Sequence, residues 1–568
     1  MWQKEYKKWL NYEDLDTNLR EALLEKNESE LEDMFYQSLS FGTGGMRGIL
    51  GPGTNRLNIY TIRRANVGLA KYLKKHYSEV DLERGVVIAH DNRHLSKDFA
   101  RESAKVLGAQ GIKSYIFTDL RPTPELSFAV RELNAISGIV VTASHNPPNY
   151  NGYKIYDEYG CQYTPIYANE IIDYVNEVKD LFAIEVDELD ALEEKGLIEY
   201  IDSKIDDAYI KALKTIQIHP DIDKDLKIVF TPLHGASGMM GSRLLEETGY
   251  DLYPVKEQMI PDPNFSTVKS PNPEDKSAFD FAINLGREIK ADLLIATDPD
   301  GDRLGVAVKD KGEFKFLNGN QTGALLLYYL LKEKKKLKIL PEKGVVFNTI
   351  VTSNLGAEIA KSFGMDVIST LTGFKYIGEQ ARYLEKEDRD FVFGYEESYG
   401  YVIKDFVRDK DSLQAMLLIS EAANFYHEKE NKTLLDKLED IYQDYGFYLE
   451  DLRSVVLEGK SGQERISRIM ASFRDNPLEE FNGLEVKYYE DFEGSIKVSG
   501  QTEESINLDK SNVIKYTLED DSWFVLRPSG TEPKLKLYAG VVTQSYKESE
   551  NQLKSILDTL SAMVKKVE

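Results

Sequence analysis

The feature that most constrains this fold is a recurrence of short apolar runs rich in Val, Ile and Leu, each leading through a turn into a stretch with helical spacing. A first set starts with a helix from residue 58 (Ile62, Val67, Leu69, Ala70, Leu73). It continues with strands at 85–89, 113–117 and 139–141, separated by a helix through Leu107 and another from about Pro124. A second set has strands at 226–230, 252–255 and 293–296, with helices at 238–247 and through 289. A third has strands at 344–347, 365–368 and 391–393, with a helix from Ser353. Strands and helices in this alternation make βαβ units. The expected fold class is therefore α/β, with three similar modules of mixed or parallel sheets over roughly residues 38–440. The last segment changes character: strands at 482–489, 513–517, 523–526 and 535–538 precede a long helix, which predicts a smaller C-terminal α+β domain. Residues 1–37 read as two amphipathic helices, and the charged stretches 183–205 and 501–512 as linkers or insertions. The expected domains are 1–205, 206–318, 319–442 and 443–568.

Composition narrows the function classes. With 71 Lys+Arg against 96 Asp+Glu, the net charge is −25. Nucleic-acid and anionic-membrane surfaces need clustered positive charge, so neither partner is expected. A single cysteine, Cys161, excludes an intramolecular disulfide framework and any Cys-cluster metal site. The N-terminus has no continuous apolar segment, and no stretch reaches transmembrane length, so a cytoplasmic protein is expected.

The chemistry sits in the loops. Residues 135–156 deliver Ser144 from the apolar run Ile139-Val140-Val141 into a loop broken by Pro147 and Pro148, after which Asn151-Gly152 is expected to turn the chain. Ser144 thus belongs at the carboxyl end of a parallel strand, where open α/β sheets hold their ligands. Residues 41–48 form a glycine-rich loop with one charge, Arg47, standing where a dinucleotide fingerprint needs its third glycine. The run Asp298-Pro299-Asp300-Gly301-Asp302-Arg303 crowds three carboxylates that repel one another unless a cation lies among them, and oxygen-only ligands suit Mg²⁺. An EF-hand fails on spacing, because the glycine is fourth and Lys309 stands at the twelfth position.

Gly394 to Gly400, with Glu396 and Ser398, offers hydrogen-bonding groups for vicinal hydroxyls; Lys410 follows in a charged turn, and Thr370 to Lys375 lies upstream. The last domain contains Arg527, Ser529, Gly530, Thr531 and Lys534 in one short loop, a phosphate cradle unlike a Walker A sequence. A serine nucleophile, a metal loop, a hydroxyl-reading loop and a phosphate cradle, one per domain, imply phosphoryl transfer on a phosphosugar.

These motifs, in this order, resemble the α-D-phosphohexomutase superfamily. TASHNPPNYNGYK is similar to its phosphoserine loop, DPDGDR to its magnesium loop, GYEES to its sugar-recognition loop and RPSGTEPK to its phosphate-binding loop. Length and the stretch TLTGFKYIGE resemble the branch of bacterial α-phosphoglucomutases, animal phosphopentomutase and glucose-1,6-bisphosphate synthase. The resemblance implies four domains around a central cleft and reversible interconversion of glucose 1-phosphate and glucose 6-phosphate. A glucose 1,6-bisphosphate intermediate would also serve as activator. Pentose or mannose phosphates are the alternatives with the same chemistry, and bisphosphate synthesis is the alternative reaction.

It implies that Ser144 carries the phosphoryl group, and that Asp298, Asp300 and Asp302 with one phosphate oxygen on Ser144 complete the Mg²⁺ site. Lys154 and Arg47 would assist the reacting hydroxyl. For Lys154 that role asks for a pKa lowered from about 10.4, as neighbouring cations could do. His145, Arg303, Lys375, Glu396, Ser398, Lys410, Arg527, Ser529, Gly530, Thr531 and Lys534 would contact substrate. A monomer or weak dimer is the expected assembly.

Overall fold

The computed structural model describes residues 2–42, 44–457, 459–529 and 534–567. The chain forms two compact units, Met1–Thr322 with Phe374–Asn431, and Gly323–Gly373 with Lys432–Glu568.

The first unit opens with three helices, Trp2–Leu10, Thr17–Leu24 and Glu28–Phe35, instead of the expected two. Polar residues split the run: the side chain of Asp16 accepts from Leu19 N–H, and Asn27 forms a capping box with Glu30. Their apolar faces bury Trp9, Leu23, Met34 and Phe35 against Tyr60 and Leu181.

The first sheet comprises β1 (Gly45–Ile49), β2 (Val86–His90), β3 (Ser114–Ile116), β4 (Ser137–Val141), β5 (Tyr150–Asp157) and β6 (Ile198–Tyr200). Its order is β1-β5-β4-β2-β3-β6. Strands β4, β2, β3 and β6 run parallel, whereas β1-β5 and β5-β4 are antiparallel. Every residue of β2 and β4 is buried, as a central parallel strand requires.

Three expectations change here. Gly45–Ile49, read as a loop, is an edge strand, because a Cβ on Gly45 would lie 1.8 Å from the Tyr153 carbonyl oxygen and only glycine allows that approach. Asn151-Gly152, read as a turn, lies inside β5 for the same kind of reason. The stretch 183–205, read as a linker or an insertion, holds a helix, Leu189–Glu194, and the edge strand β6, paired parallel to β3, so it is not a plain linker.

The second sheet has the order β11-β10-β9-β7-β8. It contains β7 (Lys227–Thr231), β8 (Asp251–Pro254), β9 (Leu293–Thr297), β10 (Leu304–Asp310) and β11 (Glu313–Leu317). Strands β9 and β10 pair antiparallel from Thr297 opposite Leu304, so residues 298–303 are the connection of a hairpin. The first unit also contains β14 (Asp390–Glu396) and β15 (Gly400–Val402), a hairpin closed by Glu396 opposite Gly400, and the helices Phe374–Leu384 and Ser412–Glu430.

In the second unit β12 (Gly344–Thr349) pairs parallel with β13 (Asp366–Thr370), linked by the helix Asn354–Ser362. Its larger sheet runs β16-β23-β22-β21-β18-β19-β20. These are β16 (Phe447–Val456), β18 (Leu484–Asp491), β19 (Ile496–Ser499), β20 (Thr502–Ser505), β21 (Ile514–Leu518), β22 (Trp523–Pro528) and β23 (Lys534–Thr543), with β17 (Glu480–Phe481) against β18. The stretch 501–512, read as a linker or an insertion, contributes β20. Ile556, Leu557 and Leu560 of the helix Tyr546–Lys566, with Ile469 and Phe473 of Gly459–Asp475, share a core with Phe524, Leu526 and Leu537. The fold is thus α/β with mixed sheets and a sheet-rich C-terminal α+β part.

Candidate active site

The register of the first sheet builds one wall of the site. Gly45 stands opposite Lys154 and Arg47 opposite Gly152. Side chains alternate along a strand, so Arg47 and Lys154 share a face. Beyond β4 the chain reaches Ser144, which takes a left-handed conformation, φ 50°, that a non-glycine residue adopts only when its surroundings impose it. The Ser144 N–H donates to Thr142 Oγ1 at 2.9 Å.

Arg93 dominates those surroundings. Its guanidinium donates to the carbonyls of Pro147 (2.9 Å), Tyr150 (3.0 Å), Ser144 (2.6 Å) and Asn146. Arg93 follows β2 in the loop Asp91-Asn92-Arg93. The sequence reading passed over it, although a charged loop at the end of a buried parallel strand is where such a sheet holds its ligands.

Ser144 Oγ is buried and donates to Asp298 Oδ2 at 2.6 Å, while Nδ1 of His145 lies 3.1 Å away. Burial, reinforced by Arg303 and Arg47, pulls the His145 pKa down to about 2, so the imidazole is neutral. Among the described residues it has no carboxylate partner, which sets the arrangement apart from a Ser-His-Asp triad.

The hairpin connection between β9 and β10 forms the opposite wall. Asp298, Asp300 and Asp302 are all buried, each with a carboxylate oxygen within 4.8 Å of the others. Asp298 Oδ1 accepts from the backbone N–H of Asp302 (3.0 Å) and Arg303 (2.9 Å). Asp300 Oδ2 accepts from Lys154 Nζ at 2.8 Å and Thr123 Oγ1 at 3.1 Å, and the Thr123 N–H donates to the Asp300 carbonyl at 2.8 Å. Lys410 Nζ lies 3.2 Å from Asp302 Oδ2. Ser412 Oγ donates to the Gly301 carbonyl at 2.5 Å. Thr123 and Ser412 were also missed, since nothing local in sequence ties them to this hairpin.

Oδ1 of Asp300 and Oδ1 of Asp302 are buried with no hydrogen-bond partner among the described residues. Three converging carboxylates with two orphaned oxygens fit a hard divalent cation.

Burial, then the charges of Asp302 and Asp300, raises the Asp298 pKa well above the carboxylate range. Burial also opposes charge on Asp300, but Lys154 and the neighbouring hydrogen bonds outweigh it and hold Asp300 low. For Lys154 burial acts to lower the pKa, yet Asp300 and Asp302 prevail and raise it. Where Arg47, Arg303 and Mg²⁺ were expected to depress Lys154, its nearest charges in the fold are the Asp300 and Asp302 carboxylates, which favour the ammonium.

The remaining sequence candidates are placed as follows. Arg47 donates to Asn146 Oδ1 at 2.8 Å. Arg303 pairs with Glu274 and lies 3.9 Å from Asp302. Glu396 is buried at the end of β14, where its charge acts on Lys410 and Arg303, and Ser398 lies in the following turn. Lys375 is the second residue of the helix Phe374–Leu384, with Nζ 5.2 Å from the Tyr376 ring centre. In the second unit Arg527 is the next-to-last residue of β22, Lys534 begins β23, and the Ser529 N–H donates to the Lys534 carbonyl at 2.8 Å. Gly530 and Thr531 lie outside the described residues. Among the described residues no helix is long and apolar enough to cross a membrane.

Comparison with known proteins shows which family the chain belongs to. The chain matches the phosphoglucomutase/phosphomannomutase alpha/beta/alpha domains I, II and III over residues 38–181, 207–312 and 318–445, and the C-terminal domain over 479–555. A phosphoglucomutase of Staphylococcus aureus strain USA300 is 39% identical over 546 residues, 95% of this chain and 96% of that protein. One from the bovine strain RF122 / ET3-1 is 40% identical over 532 residues, 93% and 94% of the two chains. Two solved structures share the fold at TM-score 0.68 over 93% of this chain. One is a putative phosphomannomutase from Thermus thermophilus (24% identity, 99% of that chain). The other is the Paramecium phosphoprotein pp63/parafusin, a phosphoglucomutase, in its open form (17% identity, 96% of that chain). The chain belongs to the phosphoglucomutase/phosphomannomutase family.

Proposed function

We propose that this protein is a phosphoglucomutase, an intramolecular phosphotransferase that interconverts α-D-glucose 1-phosphate and glucose 6-phosphate. The observation that carries the reading is the 2.6 Å contact from Ser144 Oγ to the buried three-carboxylate cluster. Relatives named phosphoglucomutase at 39% identity across 95% of the chain support the substrate.

In the proposed cycle Ser144 carries a phosphoryl group. A sugar hydroxyl forms the new P–O bond as the bond to Ser144 Oγ breaks, losing its proton within the site while Oγ gains one. This gives glucose 1,6-bisphosphate, which turns over in the cleft so that its other phosphate returns to Ser144. Asp298, Asp300 and Asp302 would hold Mg²⁺, which when bound offsets negative charge developing on the transferring group. Lys154, an ammonium beside Asp300, and Arg47, tied to Asn146, supply positive charge and a proton donor at the reacting oxygen. Glu396 and Ser398 read hydroxyls common to both orientations of the sugar. Arg303, Lys375, Lys410 and His145 contact substrate, and Arg527, Ser529, Gly530, Thr531 and Lys534 hold the phosphate that is not reacting. A cytoplasmic monomer or weak dimer with four domains, 1–205, 206–318, 319–442 and 443–568, completes the proposal.

The test is turnover of glucose 1-phosphate, mannose 1-phosphate and ribose 1-phosphate with Mg²⁺ and the matching bisphosphate, in parallel with Ser144→Ala. Glucose turned over fastest, with activity lost in the variant, is the expected result. Ribose fastest reassigns the substrate, and net bisphosphate production from 1,3-bisphosphoglycerate without isomerisation reassigns the reaction. Unchanged activity in Ser144→Ala refutes the phosphoserine.

A further inference from the structure

The loop 144–150 contains few intrinsic constraints: two prolines, one left-handed serine and no regular hydrogen-bond ladder. Four of its carbonyls, those of Ser144, Asn146, Pro147 and Tyr150, converge instead on one guanidinium. That group is itself fixed. The Arg93 side chain is fully buried, its Nε 3.5 Å from the equally buried Asp91 Oδ2, and the Phe265 ring centre lies 5.0 Å from the guanidinium carbon. Asp91 Oδ1 accepts from the Arg93 N–H at 2.9 Å and from Ser96 Oγ at 2.6 Å, so the anchor rests on the first turn of the helix Ser96–Ala109.

We propose that Arg93 is the positioning residue of the nucleophile loop: it holds Ser144 in its left-handed conformation and Oγ against Asp298, without touching substrate. The inference rests on the reading of Ser144 as the phosphoryl carrier. Without the guanidinium these four carbonyls, that of Ser144 buried, would turn toward whatever donor the loop could reach, leaving the Ser144 N–H bond to Thr142 Oγ1 as the tether between the loop and the end of β4. A lysine cannot replace the arginine, since an ammonium offers three donors from a single point whereas the guanidinium presents five in a planar fork.

The experiment uses the full chain carrying Arg93→Ala and, as the milder change, Arg93→Lys. Displacing a reacting atom by about 1 Å costs on the order of a hundredfold in rate. Arg93→Ala is expected to lose about that factor in kcat with KM within about threefold, because no substrate contact is removed. Millimolar guanidinium, seated in the vacated cavity, should restore at least a tenth of the lost rate, and ammonium should not. Arg93→Lys should fall between the wild type and Arg93→Ala. A second readout, the phosphoryl mass increment on Ser144 after exposure to glucose 1,6-bisphosphate, separates the two readings. A wild type that never acquires the increment refutes the phosphoserine itself. A labelled wild type with equally fast labelling of Arg93→Ala, or of Arg93→Lys where the alanine variant does not fold, refutes the positioning role. So does a loss of kcat that guanidinium repairs no better than ammonium.

Discussion

Gly152→Ala should damage the nucleophile loop from the strand that the loop enters. Gly152 lies in β5 between Arg47 of β1 and the loop that leaves β4. Its φ is ordinary for any residue, so an alanine meets no conformational penalty and only space decides. A Cβ there would sit 2.3 Å from the Thr142 carbonyl oxygen and 3.0 Å from that of Met46. Relief to ordinary contact requires about 1 Å of separation from Thr142. Thr142 cannot yield quietly, because its N–H donates to the Gly152 carbonyl at 3.1 Å and its Oγ1 accepts from the Ser144 N–H at 2.9 Å. The displacement is therefore passed to Ser144. Overpacking of this kind costs about 1–3 kcal/mol of stability, and a misplacement of about 1 Å costs on the order of a hundredfold in rate. Phosphosugar turnover and a thermal melt, run on wild type and Gly152→Ala together, measure both. A variant that melts within about 0.5 kcal/mol of wild type and turns over within about threefold would refute the reasoning, since the strand pair would then absorb a methyl group without moving Thr142.

The other predictions concern the carboxylate cluster and a buried cap. Thr123→Val removes the hydroxyl on Asp300 but keeps the shape and the backbone donor, so Mn²⁺ or Mg²⁺ should bind about tenfold more weakly in a direct titration, while Thr123→Ser binds as wild type. Divalent metal at a hundred times Kd should stabilise metal-stripped protein by about 2.7 kcal/mol, read as a higher unfolding midpoint, and the gain should vanish in Asp300→Asn. Asp411 caps the helix Ser412–Glu430, accepting from Leu413 and Gln414 N–H and from Tyr209 O–H, yet burial pushes its pKa up to about 6. A raised carboxyl pKa means that the ionised form weighs against the fold in full above that value. The cost shrinks as pH falls through it and is gone below the unfolded-chain pKa of about 4. A rise of that size corresponds to about 3 kcal/mol, so Asp411→Asn should melt higher than wild type at pH 7.5 and keep only about half of that advantage at pH 5. An advantage undiminished at pH 5 would show that charge is not its source.

What the sequence disclosed followed from how local each signal was. The buried parallel strands β2, β4, β7 and β9 are continuous apolar runs, so their positions were legible, and Ser144 could be placed at the end of one. The three aspartates at alternate positions declared a cation site because their repulsion is a property of five consecutive residues. The elements that were missed take their structure from distant partners. Gly45–Ile49 has too many glycines to read as a strand, yet those glycines let β1 approach Tyr153. Asn151-Gly152 has the composition of a turn and is held extended by pairing with Gly48 and Arg47 on one side and by the Thr142 N–H donating to the Gly152 carbonyl on the other. Arg93 and Thr123 gain meaning only when the sheet brings residues 144–150 and 300 beside them. Lys154 shows the same limit in electrostatic form. The role implied by the resemblance set it among Arg47, Arg303 and Mg²⁺, but the β1–β5 register and the β9–β10 hairpin place it against Asp300 and Asp302, which favour its charged form. The chemistry-bearing groups are thus written into single loops, whereas their orientation and charge state are set by contacts that only the folded sheet creates.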